Sequence, residues 1–385
     1  MNITSSIKSF IKDSTSVGVL LMCCTVCSLV LSNGIFSHSY TDFFERSLFS
    51  FPGGIHLPGS LSHIINDALM SVFFFLAALE IKREMRTGEL NTIGKAVMPG
   101  ISALGGMLLP AIIYIACCHT GSNYMGWGIP MATDIAFSLG VLSLLGKRVP
   151  LSMRVFLIAI AVIDDIGGIV AIAFFYTAGL HWDYLIAAAL LTAALFVMNL
   201  FKVSRVSLYI LPGLLLWYLV YNSGVHATIA GVALGLIVPS SLVGKLEHAL
   251  HVPVNFIVLP LFALANTAII LPADLSSAIA SPVHFGVFAG LVFGKPLGIF
   301  LFTGLAVKMK AASLPDHLTM KHVFGVGLIA GVGFTVSIFI AMLAFTDTAV
   351  QSVAKLAVIN ASAFSGVAGY CYLRFIRRKK YSKKA

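Results

Sequence analysis

The stretch "GWGIPMATDIAFSLG", residues 126–140, is an apolar run interrupted in its middle. Pro130 removes a backbone donor and disturbs any helix that contains it. Thr133 and Asp134 follow, and both residue types cap a helix that restarts. A second run, "FGVGLIAGVGFTVSIF" at 324–339, carries Gly325, Gly327, Gly331 and Gly333, which let a helix unwind. Glycines in a membrane helix also serve as plain close-packing points. Two interrupted runs in corresponding places of two halves say more, because they mark an inverted repeat with an ion site near the bilayer midplane.

Working outward, the 385-residue chain is 58% hydrophobic and only 10% charged, against about 25% charged in soluble domains. Its mean hydropathy is +0.97. The fold class is therefore an all-α polytopic membrane protein. A span needs about 20 apolar residues, and helices rather than a barrel fit runs this long. Twelve spans are expected, at 14–32, 61–83, 96–116, 123–145, 151–176, 184–201, 206–220, 224–238, 250–271, 284–306, 322–345 and 351–375. The interrupted runs are spans four and eleven, read as two crossed discontinuous helices within inverted repeats (spans three to five and ten to twelve). Residues 1–385 form one transmembrane domain.

Of the 25 basic residues, all but Arg46, Lys295 and Lys355 then fall on one side of the membrane. By the positive-inside rule both termini are cytoplasmic. The net charge of +10 does not point to nucleic acid, because much of it lies in the tail 376–385 and just before it. A basic cluster after a last span anchors to anionic lipid of the bilayer. The six cysteines lack metal-type spacing with histidines and read as small apolar residues.

Four ionisable residues lie deep: Asp134, Asp164, Asp165 and Lys295. Each costs about 2.5–3.5 kcal/mol at mid-bilayer, so they must face the bundle interior or an aqueous cavity. One Asp–Lys pair that only joins helices is the plain reading, but the chain supplies three aspartates. Asp164 and Asp165, in "AVIDDIGGIV", raise each other's proton affinity. A hard monovalent cation can replace the protons, since such ions favour carboxylate, hydroxyl and carbonyl oxygens. Crossed half-helices leave dipole ends in the membrane; Asp134 suits the N-termini and Lys295 the C-termini. Gly167 and Gly168 offer a small surface for a neighbouring helix.

The stretches "FFFLAALEIKRE", "IPMATDIAFSLG", "AVIDDIGGI", "SGVHATIAGV", "LEHALH", "LPLFALANTAI", "FGKPLGIF" and "GVGFTVSIFIA" together resemble the NhaA-type Na⁺/H⁺ antiporters over nearly the whole chain. The resemblance implies electrogenic export of Na⁺ or Li⁺ against inward protons, by alternating access, in a bacterial inner (cytoplasmic) membrane. It implies a secondary transporter rather than an enzyme, with no cofactor. It assigns cation and proton binding to Asp165 and Asp164, with Thr133 beside them, and charge compensation at the helix crossing to Asp134 and Lys295. Regulation by pH would involve Glu80, Arg83, Glu84, His226 and Glu247.

Those regulatory residues have plainer readings. Glu80 and Glu84, one turn apart beside Lys82 and Arg83, suit a solvated helix end. His226 suits an interfacial histidine. The loop 33–60, with "LFSFPGGIHLPGS", reads as an outward β-hairpin, which the resemblance would pair into a homodimer; a lone hairpin is marginal in water.

Rival functions fit less well. An intramembrane aspartyl protease uses aspartates from separate helices, and a prenyltransferase needs a DDxxD cluster where this chain has Ile166, Gly167 and Gly168 after the acids. A passive channel would want a repeated filter loop. A Na⁺-coupled symporter is separated from an exchanger only by the direction of proton movement.

Overall fold

A computed structural model describes residues 14–47, 57–88, 90–119, 121–177, 179–272, 274–315 and 318–376. Among them the chain is helical, with one isolated antiparallel bridge, Ser47–Ser60. The helices are α1 Ser14–Asn33, α2 Ser37–Glu45, α3 Leu61–Arg86, α4 Ile93–Cys117, α5 Gly121–Met131, α6 Ile135–Leu144, α7 Leu151–Phe175 and α8 Trp182–Leu200. They continue as α9 Ser207–Asn222, α10 Thr228–Ile237, α11 Ser240–Asn266, α12 Leu275–Ala280, α13 Pro282–Lys308, α14 Met320–Ala330, α15 Phe334–Ala344 and α16 Thr348–Phe375.

Eight of these are long and apolar enough to cross a membrane unbroken, and ten spans result if each bent pair counts as one. The bent pairs are the two interrupted runs: α5 and α6 meet at 45°, α14 and α15 at 51°. The remaining apolar helices, α9 and α10, are shorter. A ten-residue helix such as α10 rises about 15 Å, half the hydrocarbon thickness.

Several local outcomes differ from the expected boundaries. The first half of span four is a 3₁₀ helix containing Pro130, and the break falls just after it, at Ala132–Asp134. Gly121, at φ +66°, starts that segment in a conformation that favours glycine. α11 begins at Ser240, ten residues before the expected start, because nothing in "LEHALH" stops a helix. Within 33–60, residues Ser37–Glu45 are helical. The bridge at Ser47–Ser60 closes the base of that loop, while its Pro-Gly-Gly turn lies outside the described residues. Residues 1–13 and the tail 377–385 also lie outside them.

Three helices contain π turns: Ile64–Leu69 in α3, Val254–Val258 in α11 and Gly290–Gly294 in α13. Glycines bring backbones together around the centre. Gly231 and Gly235 of α10 lie on the backbone of α3. Gly105 of α4 and Gly298 of α13 face each other, so that a Cβ on Gly298 would lie 2.7 Å from the Gly105 carbonyl carbon. At the heart sits α15, in which residues Phe334 to Ala341 are all buried. The outer faces of α8 and α9 leave Leu190, Phe196, Leu211 and Leu214 exposed, as a lipid-facing surface requires.

Candidate functional site

Two helix interruptions meet at the centre of the bundle. Backbone N–H of Asp134 donates to the Val332 carbonyl at 2.8 Å, so the extended residues of one break pair with those of the other. Asp134 is the N-cap of α6, with one carboxylate oxygen accepting from Phe137 N–H at 2.9 Å. Its other oxygen accepts from the backbone N–H and hydroxyl of Thr335, at 3.1 and 2.7 Å. One carboxylate thus satisfies donors at the start of α6 and of α15, where unpaired N–H groups and the helix dipoles concentrate positive charge.

The carbonyl ends are met in the same reciprocal way. Ser138 Oγ of α6 donates to Ile329 O of α14 at 3.2 Å, and Ser337 Oγ of α15 donates to Ile129 O of α5 at 2.7 Å. Lys295 Nζ donates to Met131 O, the last carbonyl of α5. Thr133 Oγ1 lies 3.1 Å from Ala330 O, the last carbonyl of α14.

α7 carries the dyad. Adjacent helix positions point about 100° apart, and the structure separates their roles accordingly. Asp164 is fully buried and faces α13, where Lys295 Nζ stands 3.0 Å from its Oδ2 and is equally buried. Thr133 Oγ1 donates to the same oxygen at 2.8 Å. Asp165 faces a cavity of about 220 Å³. One oxygen of each aspartate, Asp164 Oδ1 and Asp165 Oδ1, is buried without a hydrogen-bond partner among the described residues. A buried carboxylate oxygen left so demands a proton or a cation. Gly167, on the same helix, lies against the side chain of Met107 in α4.

The cavity joins residues that the sequence offered separately. Thr133, Asp134, Thr335 and Asp165 line it at one end, and Glu80, Arg83, Glu84, Glu247 and His251 at the other. Of α7 only Ile158, Val162 and Asp165 line it, so the open space stops at Asp165. Across its mouth Arg83 bridges Glu84, at 2.9 Å, and Glu247. Glu80 and Glu84 are therefore cavity-lining groups rather than only a solvated helix end. Lys82 corrects that plain reading further: it is buried, donating to Leu236 O and Val238 O, where it caps the carbonyl end of α10. His226 is not in this group. Its Nε2 lies 2.6 Å from Tyr176 O, just past the far end of α7. Thr335, Ser337, Ser138 and Lys82 were not singled out by sequence. Thr335 and Ser337 do sit in the quoted interrupted run, two and four residues after Gly333.

Comparison with known proteins identifies the family. The profile of the family described as Na⁺/H⁺ antiporter 1 matches residues 8–373. The Na⁺/H⁺ antiporter NhaA of Cytophaga hutchinsonii is 45% identical over 391 residues, covering 100% of this chain and 99% of that protein. Na⁺/H⁺ antiporter NhaA 1 of Flavobacterium johnsoniae is 44% identical, with 98% of both chains covered. The solved sodium proton antiporter MjNhaP1 of Methanocaldococcus jannaschii superposes with a TM-score of 0.54 at 15% identity, over 93% of this chain and 91% of that one. That last likeness concerns the fold.

Proposed function

The chain belongs to the Na⁺/H⁺ antiporter 1 family, and from that premise we propose that it is an electrogenic exchanger of Na⁺ or Li⁺ for protons. The observation that carries this reading is Asp165: a buried carboxylate with an unpartnered oxygen, at the closed end of a cavity, beside an Asp164 engaged by Lys295. The cation binds between Asp165 and Asp164, with the Thr133 hydroxyl in reach of the same carboxylate. Protons compete for Asp165 and for the Asp164–Lys295 pair. Two protons entering for each monovalent cation leaving move one net charge, so the cycle responds to membrane voltage.

Twelve spans form the scaffold in this reading, with α5–α6 and α14–α15 as spans four and eleven, crossing as members of an inverted repeat. The reciprocal bonds Ser138–Ile329 and Ser337–Ile129 support it, since a two-fold relation exchanges one for the other. Both termini and the Arg83 mouth lie on the cytoplasmic side of a bacterial inner membrane, as the basic residues favour. The structure is then inward-open, and transport proceeds by alternating access. Arg83 with Glu80, Glu84 and Glu247 tunes the mouth to pH, with His226 acting from the opposite end. The loop 33–60 joins two copies into a homodimer.

The test is exchange in proteoliposomes. A Na⁺ gradient imposed on them drives protons the opposite way, read by a lumenal pH dye, and a potential-sensitive dye reports net charge movement. Protons moving with Na⁺, or exchange unchanged in Asp165→Asn, would overturn the reading. Absence of a potential would overturn its electrogenic part.

A further inference from the structure

The cavity explains access from one side and leaves open what closes the other. Asp165, Gly168, Ile172 and Tyr176 share one face of α7 and its last turn, by their helical spacing. Ile172 and Tyr176 are buried. The place of a Cβ on Gly168 is open apart from Ile340 Cδ1 of α15 at 4.0 Å. The same Ile340 side chain lies, through its Cγ2, 3.4 Å from the place of a Cβ on Gly128. Above it Tyr176 Oη donates to Met125 O at 2.7 Å and accepts from Gly128 N–H at 3.3 Å. Both partners belong to α5, the first half of the broken span. Its neighbour Phe175 packs edge-on against Trp127 of α5, with ring centroids 5.0 Å apart.

We propose that Tyr176 is the latch of the outward gate: its hydroxyl ties the end of α7 to α5 and, over Ile172 and Ile340, shuts the route from Asp165 to the outer face. The proposal rests on the alternating-access reading above and adds the residue that holds this state. Outward opening breaks the two hydroxyl bonds and parts Tyr176 from α5. The ring alone fills the space, while the hydroxyl fixes it to α5. Gly128 is the complementary half of the device: a Cβ there would lie 2.8 Å from Tyr176 Oη, closer than side chains approach, and would push the hydroxyl off its partners.

The test uses the full chain with its six cysteines replaced and one introduced by Gly168→Cys, in right-side-out vesicles. A membrane-impermeant thiol reagent is added outside, and a companion cysteine, Asn255→Cys, reports on the inner cavity from inside. With Tyr176→Phe, outside labelling of the Gly168→Cys site rises about fivefold or more, as loss of one or two hydrogen bonds allows, and inside labelling of the Asn255→Cys site falls. Gly128→Ala does the same by a different route, so one poorly folding variant does not leave the matter open. Unchanged labelling from outside, or a rise from both sides together as general loosening would give, overturns the latch. Exchange is measured on the same vesicles. Loss of all Na⁺-driven proton movement in the parent chain, with the labelling asymmetry intact, would sink the transport reading and not the gate.

Discussion

The Asp134 carboxylate holds the N-termini of two helices, bonding a residue 201 positions away in sequence. It caps α6 through Phe137 and reaches Thr335 of α15 twice, at 3.1 and 2.7 Å. Replacing it by alanine orphans buried donors at both ends.

Asp134→Ala is accordingly expected to lower stability by about 3 kcal/mol, summing a lost cap and lost bonds to a charged acceptor. Asp134→Asn, which keeps one acceptor oxygen, costs about half as much. Thermal unfolding in detergent measures both, and equal losses would contradict the assignment.

Lys295 and Asp164 form a fully buried pair 3.0 Å apart. Lys295→Met or Asp164→Asn alone leaves one buried charge, and each is expected to cost about 3–5 kcal/mol. The double variant recovers most of that loss. A double-mutant cycle on unfolding temperatures gives the coupling, and additive losses would mean the pair does not interact.

Asp165→Asn behaves oppositely. It removes a buried carboxylate with an unpartnered oxygen, so the folded chain is as stable as the parent or more so. Exchange falls to the liposome background. Na⁺ protects the parent against heat by about 2.7 kcal/mol at a hundredfold excess over its dissociation constant. The variant shows no such protection.

Gly298→Ala places a methyl group 2.7 Å from the Gly105 carbonyl carbon and 3.1 Å from Leu109 Cβ. Overpacking of this kind costs about 1–3 kcal/mol. The helix bearing Lys295 would be pushed off α4, so exchange falls along with stability. An unfolding temperature equal to the parent's would show that α4 and α13 yield freely.

At the mouth, Arg83 is 44% exposed and its pairs with Glu84 and Glu247 are weak contributors to stability. Arg83→Ala changes stability by less than about 1 kcal/mol. It also removes the positive charge beside Glu84 and Glu247, so apparent Na⁺ affinity from that side rises about fivefold at low salt and the gain fades as salt is added. Titration of exchange against Na⁺ at two ionic strengths checks this.

Much of the site is legible in the sequence because charge is scarce in an apolar chain. Asp134, Asp164, Asp165 and Lys295 stand out, and Asp134 as a cap follows from its place after Pro130 and before an aliphatic run. The partners are less legible. Thr335 and Asp134 meet only because two distant breaks meet, and no local spacing encodes that. Lys82 looks solvated from its charged neighbours, yet helix geometry turns it toward the carbonyl end of α10. The division of labour within the dyad is hidden for the same reason: helical periodicity gives the angle between Asp164 and Asp165, but the placement of α13 decides which one meets Lys295. Similarly, Pro130 marks a disturbance, while the structure carries a 3₁₀ segment through it and places the break downstream, before Asp134.

The mutual bonding of the two breaks has a mechanical consequence. Asp134 N–H to Val332, Asp134 to Thr335, Ser138 to Ile329 and Ser337 to Ile129 all run between them. Prising the segments apart inside a bilayer would strip several main-chain groups of partners where no water replaces them, at several kcal/mol for each. In the alternating-access reading proposed above, the broken pair therefore travels as one rigid body. In that reading sliding falls to the seam along α7, where Thr133, Lys295 and Tyr176 make the attachments through single side chains.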